Sequence, residues 1–371
     1  MKEQKDKINL ENKQEIRGAV CIYTVYNTEN CGSFLQAYAL QTIIRRMGYD
    51  ACFSSTIKEK NPTHTLKNTI TVALKRFLKL RWVESFREIE KYYKFEKAQR
   101  AFLKIDDDSH LKLKPVSAVV VGSDTVWNLD SSFFKKNICT YFAQNWEGYN
   151  RCTYAVSAAN TSLEEFEQTD SICEMMSGFE NISVRDEKTA LIVKTLIGVE
   201  PARVCDPTML LTCDDYDELL RKPLEEPYIF IYAFEGFSLS LKKKIMEFSK
   251  KEELKIVTLG HYGDSTWLQS QNICPDNFIT LMKYASYVIT DTFHGTVFSM
   301  IYNKQFVVIE QGKNKVREIL DKYGLGSRLC TCNSIDSVIG QRIDYSVVNK
   351  SMIRDRNFSL SYLRDALGGN R

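Results

Sequence analysis

Continuous apolar runs alternate along this chain with segments in which apolar residues recur every three or four positions. The runs occupy residues 19–25, 118–121, 228–232, 287–290 and 306–309. A run without polar alternation is typical of a strand buried on both faces, as in a parallel sheet covered by helices. The alternation of such runs with helical periodicity therefore predicts an α/β fold.

The βα alternation occurs in two series. The first opens with the run at 19–25, which is followed by a helix whose apolar residues are spaced four apart and which ends at Gly48. An acidic, proline-containing stretch at 213–227 has little apolar periodicity. At 371 residues the chain is long enough for two cores. We predict two Rossmann-like domains facing across a cleft, 1–212 and 213–344, and a helix at 345–371 that could cross back to the first domain.

Residues 65–104 interrupt this alternation of strands and helices. We predict that they form a basic, helical insertion in the first domain. Its interleaved aromatic residues include Phe77, Trp82, Phe86, Tyr92, Tyr93 and Phe95. Basic amphipathic helices dock on anionic membranes or on phosphate-bearing molecules. The simpler interpretation, which we favour, is a solvated insertion whose aromatic residues pack on the domain.

Composition and charge exclude several functional classes. The 50 basic and 47 acidic side chains nearly cancel, which argues against nucleic acid as the main partner. The 11 cysteines form no CxxC pair and no metal-ligand cluster, so we expect reduced thiols, no metal and no cofactor. The N-terminus lacks an apolar segment, and no apolar run is long enough to cross a bilayer. We expect a cytoplasmic protein, with the inner face of the membrane as an alternative location.

The strongest candidate site lies at 287–296, which reads as strand, polar turn and helix start. Free backbone N–H groups and the helix dipole make such a helix start suitable for binding an anion. His294 lies at this point, and Gly295 permits close approach of the backbone to a ligand. Open α/β sheets bind ligands in this crevice. His294 is therefore the leading candidate for catalysis.

Further candidates follow other predicted strands. Ser123 and Asp124 follow the run at 118–121, and Asp206 follows a short apolar segment. Arg185 follows the strand predicted at 182–184 and is suited to bind a carboxylate or phosphate; the alternative is a salt bridge to an adjacent acidic residue, Asp186 or Glu187. Asn30 lies in an Asn/Gly-rich loop that does not match the dinucleotide fingerprint.

Several of these segments, in this order, resemble the polysaccharide pyruvyl transferase family. The resemblance runs from about residue 19 to 330 and is carried by residues 30–41, 121–128, 154–157, 182–186, 206–211 and 290–298. It implies a glycosyltransferase-B-like fold with an active cleft between the halves. It also implies transfer of the enolpyruvyl unit of phosphoenolpyruvate onto two hydroxyls of a sugar in a surface polysaccharide or its precursor, giving a pyruvate ketal and phosphate. The acceptor would be linked to a lipid or a nucleotide.

The resemblance also implies residue roles. Arg185 matches the arginine thought to hold phosphoenolpyruvate, His294 the essential histidine, and Asp124 an acidic residue of the cleft. Some members carry arginine two positions before the histidine, where this chain has Thr292. Either the replacement cation is one of four residues of the second half, namely Lys313, Lys315, Arg317 and Arg328, or the donor is held differently.

The chemistry of phosphoenolpyruvate suits these residues. Its phosphate and carboxylate require two anion-binding elements, which Arg185 and the helix start at His294 would supply from opposite domains. Asp124 is the favoured base, and His294 the acid or the anchor for phosphate. Loss of either Arg185 or His294 is expected to abolish turnover with little change in melting temperature.

Two other functions remain open. One is a glycosyltransferase that uses a nucleotide sugar, with Glu310 or Asp264 contacting the ribose. The other is a non-catalytic member that binds glycan or membrane through residues 65–104.

Overall fold

The computed structural model describes residues 17–56, 65–260, 269–312, 314–331 and 333–368. We call 17–212 the first half and 213–344 the second half, after the predicted domain boundary, which stays a prediction.

The first half is built on a parallel sheet in the order β3-β2-β1-β4-β5. Its strands are β1 (Ala19–Tyr23), β2 (Asp50–Ser54), β3 (Ile105–Asp106), β4 (Val116–Val121) and β5 (Arg151–Thr153). A two-stranded parallel sheet of β6 (Ser183–Val184) and β7 (Ala202–Arg203) extends this half. The order changes direction at β1, so a ligand crevice is expected where the loops after β1 and β4 meet.

The second half carries a parallel sheet in the order β10-β9-β8-β11-β12-β13. Its strands are β8 (Tyr228–Tyr232), β9 (Lys255–Leu259), β10 (Gln269–Gln271), β11 (Tyr287–Thr290), β12 (Phe306–Ile309) and β13 (Leu329–Cys330). Here the order changes direction between β8 and β11. The loops after these two strands therefore form the second crevice.

Helices cover both sheets. In the first half they are α1 (Cys31–Arg46), α2 (Leu66–Leu78), α3 (Trp82–Phe102), α4 (Asp108–Leu111), α5 (Ser132–Lys136), α6 (Ile138–Tyr141), α7 (Leu163–Glu167), α8 (Ile172–Ser177) and α9 (Glu187–Ile197). They are followed by α10 (Leu239–Lys251), α11 (Pro275–Tyr284), α12 (Phe293–Ile301), α13 (Asn314–Lys322), α14 (Ile335–Val338) and α15 (Tyr345–Ala366). None of the helices in the described residues has the length and apolar character needed to cross a bilayer.

The two halves share one hydrophobic core. Tyr38 of α1 packs against Tyr216 at a ring-centroid distance of 6.0 Å, and Tyr216 packs against Phe298 of α12 at 5.1 Å. All three rings are buried. Burial of this aromatic row fixes α1 against α12, the two helices that start at the two crevices.

The C-terminal helix α15 packs on the first half. The Tyr362 hydroxyl donates to the carbonyl of Thr153, and the Ser359 hydroxyl accepts from the Cys205 N–H at 2.9 Å. The Tyr49 hydroxyl donates to the carbonyl of Leu367, just after the helix. α15 thus contacts β5 and the segment after β7.

Two predicted elements are shorter than expected. The apolar segment 153–157 predicts a strand, but β5 ends at Thr153, because Ala155 adopts a φ of +52°, which breaks the extended backbone. Ser162 with Glu165 predicts a capping box and a helix to about Met176. The capping box forms, but the helix is interrupted before α8, where Ser171 has a φ of +56°. A residue with left-handed backbone angles fits neither a strand nor a right-handed helix.

The basic insertion forms an antiparallel helical hairpin of α2 and α3. Phe95 is buried and Tyr92 is half-buried, but Phe77, Trp82, Phe86 and Tyr93 are exposed. The favoured interpretation, that the aromatic residues pack on the domain, is therefore wrong for these four. α2 and α3 bury small or polar side chains against each other instead.

Candidate active site

His294 lies at the start of α12, directly after β11. Thr292 caps the helix by accepting a hydrogen bond from the Gly295 N–H at 2.9 Å. The buried Asp291 carboxylate accepts from the backbone N–H groups of Phe234 and Glu235 at 3.0 and 2.9 Å. These bonds tie the loop after β8 to the loop after β11, and so fix the crevice at which His294 sits.

Gly295 is packed against its own strand and turn. A Cβ atom at this position would lie 2.1 Å from Thr290 Oγ1 and 2.6 Å from Thr292 Oγ1. The glycine thus lets α12 start immediately after β11. This close approach is to protein atoms, and the contact with a ligand stays a prediction.

The loop after β1 leads into α1 through Asn30. The Asn30 side chain accepts from the N–H groups of Gly32 and Ser33 at 2.8 and 3.3 Å, as an N-cap. The Ser33 hydroxyl donates to Asp124 Oδ2 at 2.8 Å. Asn30 therefore acts on the site by placing Ser33, which in turn orients Asp124.

A buried polar network holds the loop after β4. The Ser123 hydroxyl donates to Gln36 Oε1 at 3.1 Å, and the Ser123 carbonyl accepts from the Thr24 hydroxyl at 2.9 Å. Ser123 is fully buried and bonded within the protein. Its position supports the backbone of Asp124, which has a φ of +70°.

Arg185 and His294 converge on Asp206. Arg185 Nη1 donates to Asp206 Oδ2 at 2.8 Å, and His294 Nε2 lies 3.9 Å from the same oxygen. The Arg185 guanidinium lies over the ring of Phe293, 4.7 Å from its centroid. The side chain of Asp206 is 0% exposed and that of Arg185 is 6% exposed. The salt bridge considered from the sequence exists, but with Asp206 rather than with Asp186 or Glu187.

The two crevices meet at His294. Its imidazole lies directly against Gly32 at the start of α1. His294 Nε2 is buried and has no hydrogen-bond partner among the described residues. A buried polar atom without a partner in a crevice is a candidate for contact with a ligand.

Gly32→Ala is expected to destabilise the protein by about 1–3 kcal/mol, because overpacking displaces neighbouring groups. The added Cβ would lie 2.0 Å from His294 Nδ1, so the imidazole must move. Urea unfolding measures the effect. Gly340→Ala is the control, since nothing lies within 4 Å of its added Cβ. Equal stability of the two variants would contradict this packing of Gly32 on His294.

The pKa of His294 is lowered below its ordinary value. Burial is the main cause, and the positive charges of Arg185 and Lys315 act in the same direction. The carboxylates of Asp206 and Asp124 offset this only in part. His294 is therefore neutral at pH 7 in the protein without ligands.

Asp206 and Arg185 both keep their charges. Burial alone would raise the pKa of Asp206, but His294, which is protonated at the low pH at which a carboxylate titrates, and Arg185 outweigh it and hold that pKa below its ordinary value. Burial would lower the pKa of Arg185, but the carboxylates of Asp206, Asp124 and Asp186 raise it. The centre is thus a buried ion pair beside a neutral imidazole.

The four candidates for the replacement cation differ in their positions. Arg328 is buried and donates to the carbonyls of Val338 and Gln341, while Arg317 pairs with Glu310. Lys313 lies outside the described residues. Lys315 lines the same cleft as Arg185. Of the candidates that the structure describes, Lys315 is the one that shares a cleft with Arg185.

This cleft lies between the two halves. Arg185, Asp206 and Arg203 line it from the first half, and Phe293, Lys315 and Tyr323 from the second. Arg203 also donates to Glu318 Oε1 of α13 at 3.2 Å, across the cleft. The lining is of mixed charge, since the basic side chains outnumber the acidic ones by only one; the basic ones are Arg185, Arg203, Lys315 and Lys322, and the acidic ones are Asp186, Asp206 and Glu318. The guanidinium and ammonium groups are the parts of this wall that suit a ligand with anionic groups.

The residues considered for a nucleotide sugar lie elsewhere. Glu310 accepts from Arg317 and lines a separate cavity with Asp291. Asp264 lies outside the described residues. Within the described ranges, no group of three or more His, Cys, Asp or Glu side chains is arranged to hold a metal ion.

Sequence reasoning missed three contributors to the site: Gly32, Ser33 and Phe293. Gly32 and Ser33 belong to the loop at Asn30, and Phe293 precedes the candidate histidine. The signal available in the sequence was a glycine and a serine hydroxyl, Gly32 and Ser33, close to the start of a helix. Their contacts with His294 and Asp124 depend on how the halves pack and cannot be read from spacing.

Solved structures share this fold at low sequence identity. A trehalose-6-phosphate synthase matches with a TM-score of 0.50 and 8% identity, covering 94% of this chain and 98% of that chain. The glycotransferase of kitacinnamycin has a TM-score of 0.49 at 10% identity, with 94% and 97% covered. A putative UDP-N-acetylglucosamine 2-epimerase from Listeria monocytogenes has a TM-score of 0.48 at 8% identity, with 93% and 90% covered. The likeness to the trehalose-6-phosphate synthase shows the fold alone, a glycosyltransferase-B-like pair of Rossmann-like domains, as predicted.

No curated protein matches the chain significantly. A family model described as polysaccharide pyruvyl transferase matches residues 30–313, which is more than half of the chain.

Proposed function

The chain belongs to the polysaccharide pyruvyl transferase family, and we propose that it transfers the enolpyruvyl group of phosphoenolpyruvate to a saccharide as a pyruvate ketal. The acceptor is a sugar of a surface polysaccharide or of a lipid- or nucleotide-linked precursor. The donor is a substrate, and the proposal includes no cofactor.

The convergence of Arg185 and His294 on Asp206 carries this proposal. Arg185 Nη1 and His294 Nε2 lie 2.8 and 3.9 Å from one carboxylate oxygen, and they come from different halves. A compact donor with a phosphate and a carboxylate needs two such groups close together. Asp206 holds the guanidinium in a fixed orientation, so its remaining N–H groups can bind one anionic group of the donor.

The proposed reaction conserves every proton. The first sugar hydroxyl attacks C2 of the donor, while the methylene carbon takes up a proton and becomes a methyl group. The second hydroxyl then attacks C2, and the C2–O bond to phosphate breaks. Of the two protons that the hydroxyls release, one balances the methyl group and the other leaves with phosphate. The step therefore needs one proton acceptor and one proton donor near C2.

Asp124 and His294 are the two groups available for these proton transfers. Asp124 accepts a hydrogen bond from the Ser33 hydroxyl, so its carboxylate is positioned as a base for a sugar hydroxyl. His294 is neutral before the donor binds, since burial lowers its pKa. The negative charges of the donor would raise that pKa again, and protonated His294 can then serve as acid or hold the leaving phosphate.

Lys315 supplies the further cation in this proposal. Lys315 lines the cleft beside Arg185. Its positive charge is one of the contributions that lower the pKa of His294. Thr292, which stands where some relatives carry arginine, is used as a helix cap. Lys315 from α13 would thus replace a cation that the turn before α12 does not provide.

Mass spectrometry of candidate saccharide precursors incubated with the protein and phosphoenolpyruvate tests the proposal. The expected result is a ketal adduct, with phosphate released only when an acceptor is present. A parallel incubation with UDP-sugars separates this activity from glycosyl transfer. Sugar transfer from UDP without any ketal, or phosphate release that needs no acceptor, would overturn the proposal.

Binding of phosphoenolpyruvate is expected to take up a proton at neutral pH. The pKa of His294 is lowered in the free protein and would be raised by the anionic donor, so affinity is highest at low pH. Affinity is then lost as pH rises through the pKa of the complex. Titration calorimetry in buffers with different ionisation enthalpies measures the proton number.

His294→Gln is expected to abolish this proton uptake. His110→Gln, at an exposed surface histidine, is the matched control and should retain it. A binding enthalpy that is independent of the buffer in the unmodified protein would contradict a change in the protonation of His294.

A further inference from the structure

Helix α2 presents its apolar face to solvent. It buries the small or polar side chains of Thr69 and Ala73, which are 3% exposed. Leu66, Ile70 and Leu74 recur every four residues and are 42%, 52% and 55% exposed. In an amphipathic helix of a globular protein the large apolar side chains normally face the core. This helix is oriented the other way.

The apolar surface continues over the tip of the hairpin. Leu78 and Leu80 are 73% and 80% exposed, and at the start of α3 Val83 and Phe86 are 66% and 69% exposed. The rings of Phe77 and Trp82 stack across the turn at a centroid distance of 5.7 Å. We call the exposed apolar side chains of α2, the turn and the start of α3 the hairpin face; it consists of Leu66, Ile70, Leu74, Phe77, Leu78, Leu80, Trp82, Val83 and Phe86. Contiguous exposed apolar patches of this kind mark sites of interaction.

The hairpin face is surrounded by positive charge. From Leu66 to Val83 the basic residues are Lys67, Lys75, Arg76, Lys79 and Arg81, and this segment contains no Asp or Glu. The first acidic residue after it, Glu84, pairs with Arg81. The segment therefore has a strong positive excess, although the chain as a whole is nearly neutral.

Glu88 of α3 is buried and helps to hold the hairpin in place. Glu88 pairs with Arg76 at 3.0 Å and with Lys91 at 3.1 Å. Lys91 also pairs with Glu29 at 2.6 Å, and Glu29 precedes the N-cap Asn30 of the candidate site. The base of the hairpin is thus fixed beside the catalytic crevice, while its apolar and basic side faces outward.

We propose that the hairpin face docks on the surface of an anionic lipid bilayer. Apolar side chains enter the boundary between headgroups and acyl chains, and the surrounding lysines and arginines bind anionic headgroups. Charge complementarity selects this occupant over a second copy of the chain, because two such cationic faces repel each other. Docking in this way requires no helix that spans the membrane.

Docking would bring the candidate active site close to the membrane. The ion pair of Lys91 with Glu29 connects the hairpin to the loop that leads to Asn30. A saccharide on a lipid carrier would then be presented near the crevice. This last point rests on the proposed function, whereas docking itself does not.

Flotation of the full chain with lipid vesicles tests the proposal without donor or acceptor. Binding is expected to vesicles of phosphatidylcholine with phosphatidylglycerol, to weaken with added salt, and to be much weaker with phosphatidylcholine alone. Replacing three lysines, as Lys67→Gln, Lys75→Gln and Lys79→Gln together, should weaken binding about a hundredfold, at roughly fivefold per charge. The control is Lys243→Gln, Lys250→Gln and Lys251→Gln on α10, which should bind normally.

An apolar variant tests the other half of the interaction. Leu74→Gln, Leu78→Gln and Phe86→Gln together should weaken binding at least about tenfold. Its control is Val347→Gln, Ile353→Gln and Phe358→Gln on α15, where the side chains are 65%, 52% and 54% exposed. Failure of the unmodified protein to bind anionic vesicles, or equal binding by test and control variants, would overturn the proposal. So would sedimentation showing a dimer that the apolar variant abolishes, with no vesicle binding. None of these results depends on pyruvyl transfer.

Discussion

Arg185→Lys is expected to lower kcat/KM for phosphoenolpyruvate by on the order of a hundredfold. Lysine keeps the charge, but it cannot lie over the ring of Phe293 while donating to both Asp206 and the donor. The donor would then bind in an altered orientation. Phosphate release in the presence of acceptor measures the effect.

Arg185→Ala would report on folding as well as on activity. The side chain of Asp206 is 0% exposed and would lose its charged partner, which costs about 3–5 kcal/mol for a buried pair. The structure thus changes the expectation, drawn from the sequence, that removal of Arg185 leaves the melting temperature nearly unchanged. The double variant Arg185→Ala, Asp206→Asn should regain most of the stability and none of the activity.

Arg221→Lys is the matched control for Arg185. Arg221 pairs with Asp276 at a partly exposed site on the second half, away from the cleft. Its replacement should change neither turnover nor stability measurably. Normal turnover in Arg185→Lys would argue against this arginine as the donor-binding residue. Recovery of turnover in the double variant Arg185→Ala, Asp206→Asn would also argue against this role of Arg185.

His294→Gln is expected to lower kcat by about a hundred- to ten-thousandfold, the range for loss of a general acid or base. Glutamine fills much of the same space against Gly32 but cannot take up a proton. The ion pair between Arg185 and Asp206 stays in place, and His294 Nε2 has no hydrogen-bond partner to lose among the described residues. The melting temperature should therefore change little.

A structural role for His294 would give a different result. If the imidazole only filled space, glutamine would preserve turnover and the dependence of donor binding on pH. His110→Gln again serves as the control, because its side chain is exposed and bonds only a surface carboxylate. Turnover in His294→Gln equal to that in the control would contradict the proposed chemistry.

The sheets could be predicted from the sequence because strands that are buried on both faces appear as continuous apolar runs. The runs at 228–232, 287–290 and 306–309 coincide with β8, β11 and β12. A strand covered by helices on both sides has no solvent-facing position, so the pattern is unambiguous. Ala155 shows the limit, since its apolar context predicts a strand while its left-handed backbone ends one.

From the sequence, the candidate residues could be placed at the ends of individual strands, but their contacts with one another could not be predicted. The end of β11 places His294 in a crevice, and the end of β6 places Arg185 there. The partner of Arg185, however, is Asp206, which lies 21 positions further along the chain. Which carboxylate pairs with Arg185 depends on how β6, β7 and α12 pack against one another. Sequence spacing does not encode this packing.

The hairpin shows why the direction of an amphipathic helix cannot be read from periodicity. The spacing of Leu66, Ile70 and Leu74 correctly indicates one apolar face, but not whether that face meets a core or solvent. Thr69 and Ala73 decide this, since their small size allows α2 and α3 to approach closely. Such a preference depends on the neighbouring helix.

The position of α15 constrains the order in which the protein can mature during synthesis. Its Tyr362 and Ser359 bond the carbonyl of Thr153 and the N–H of Cys205, both in the first half, yet the ribosome makes this helix after the whole second half. During synthesis, the surface of the first half beneath α15 therefore stays uncovered while more than a hundred further residues emerge.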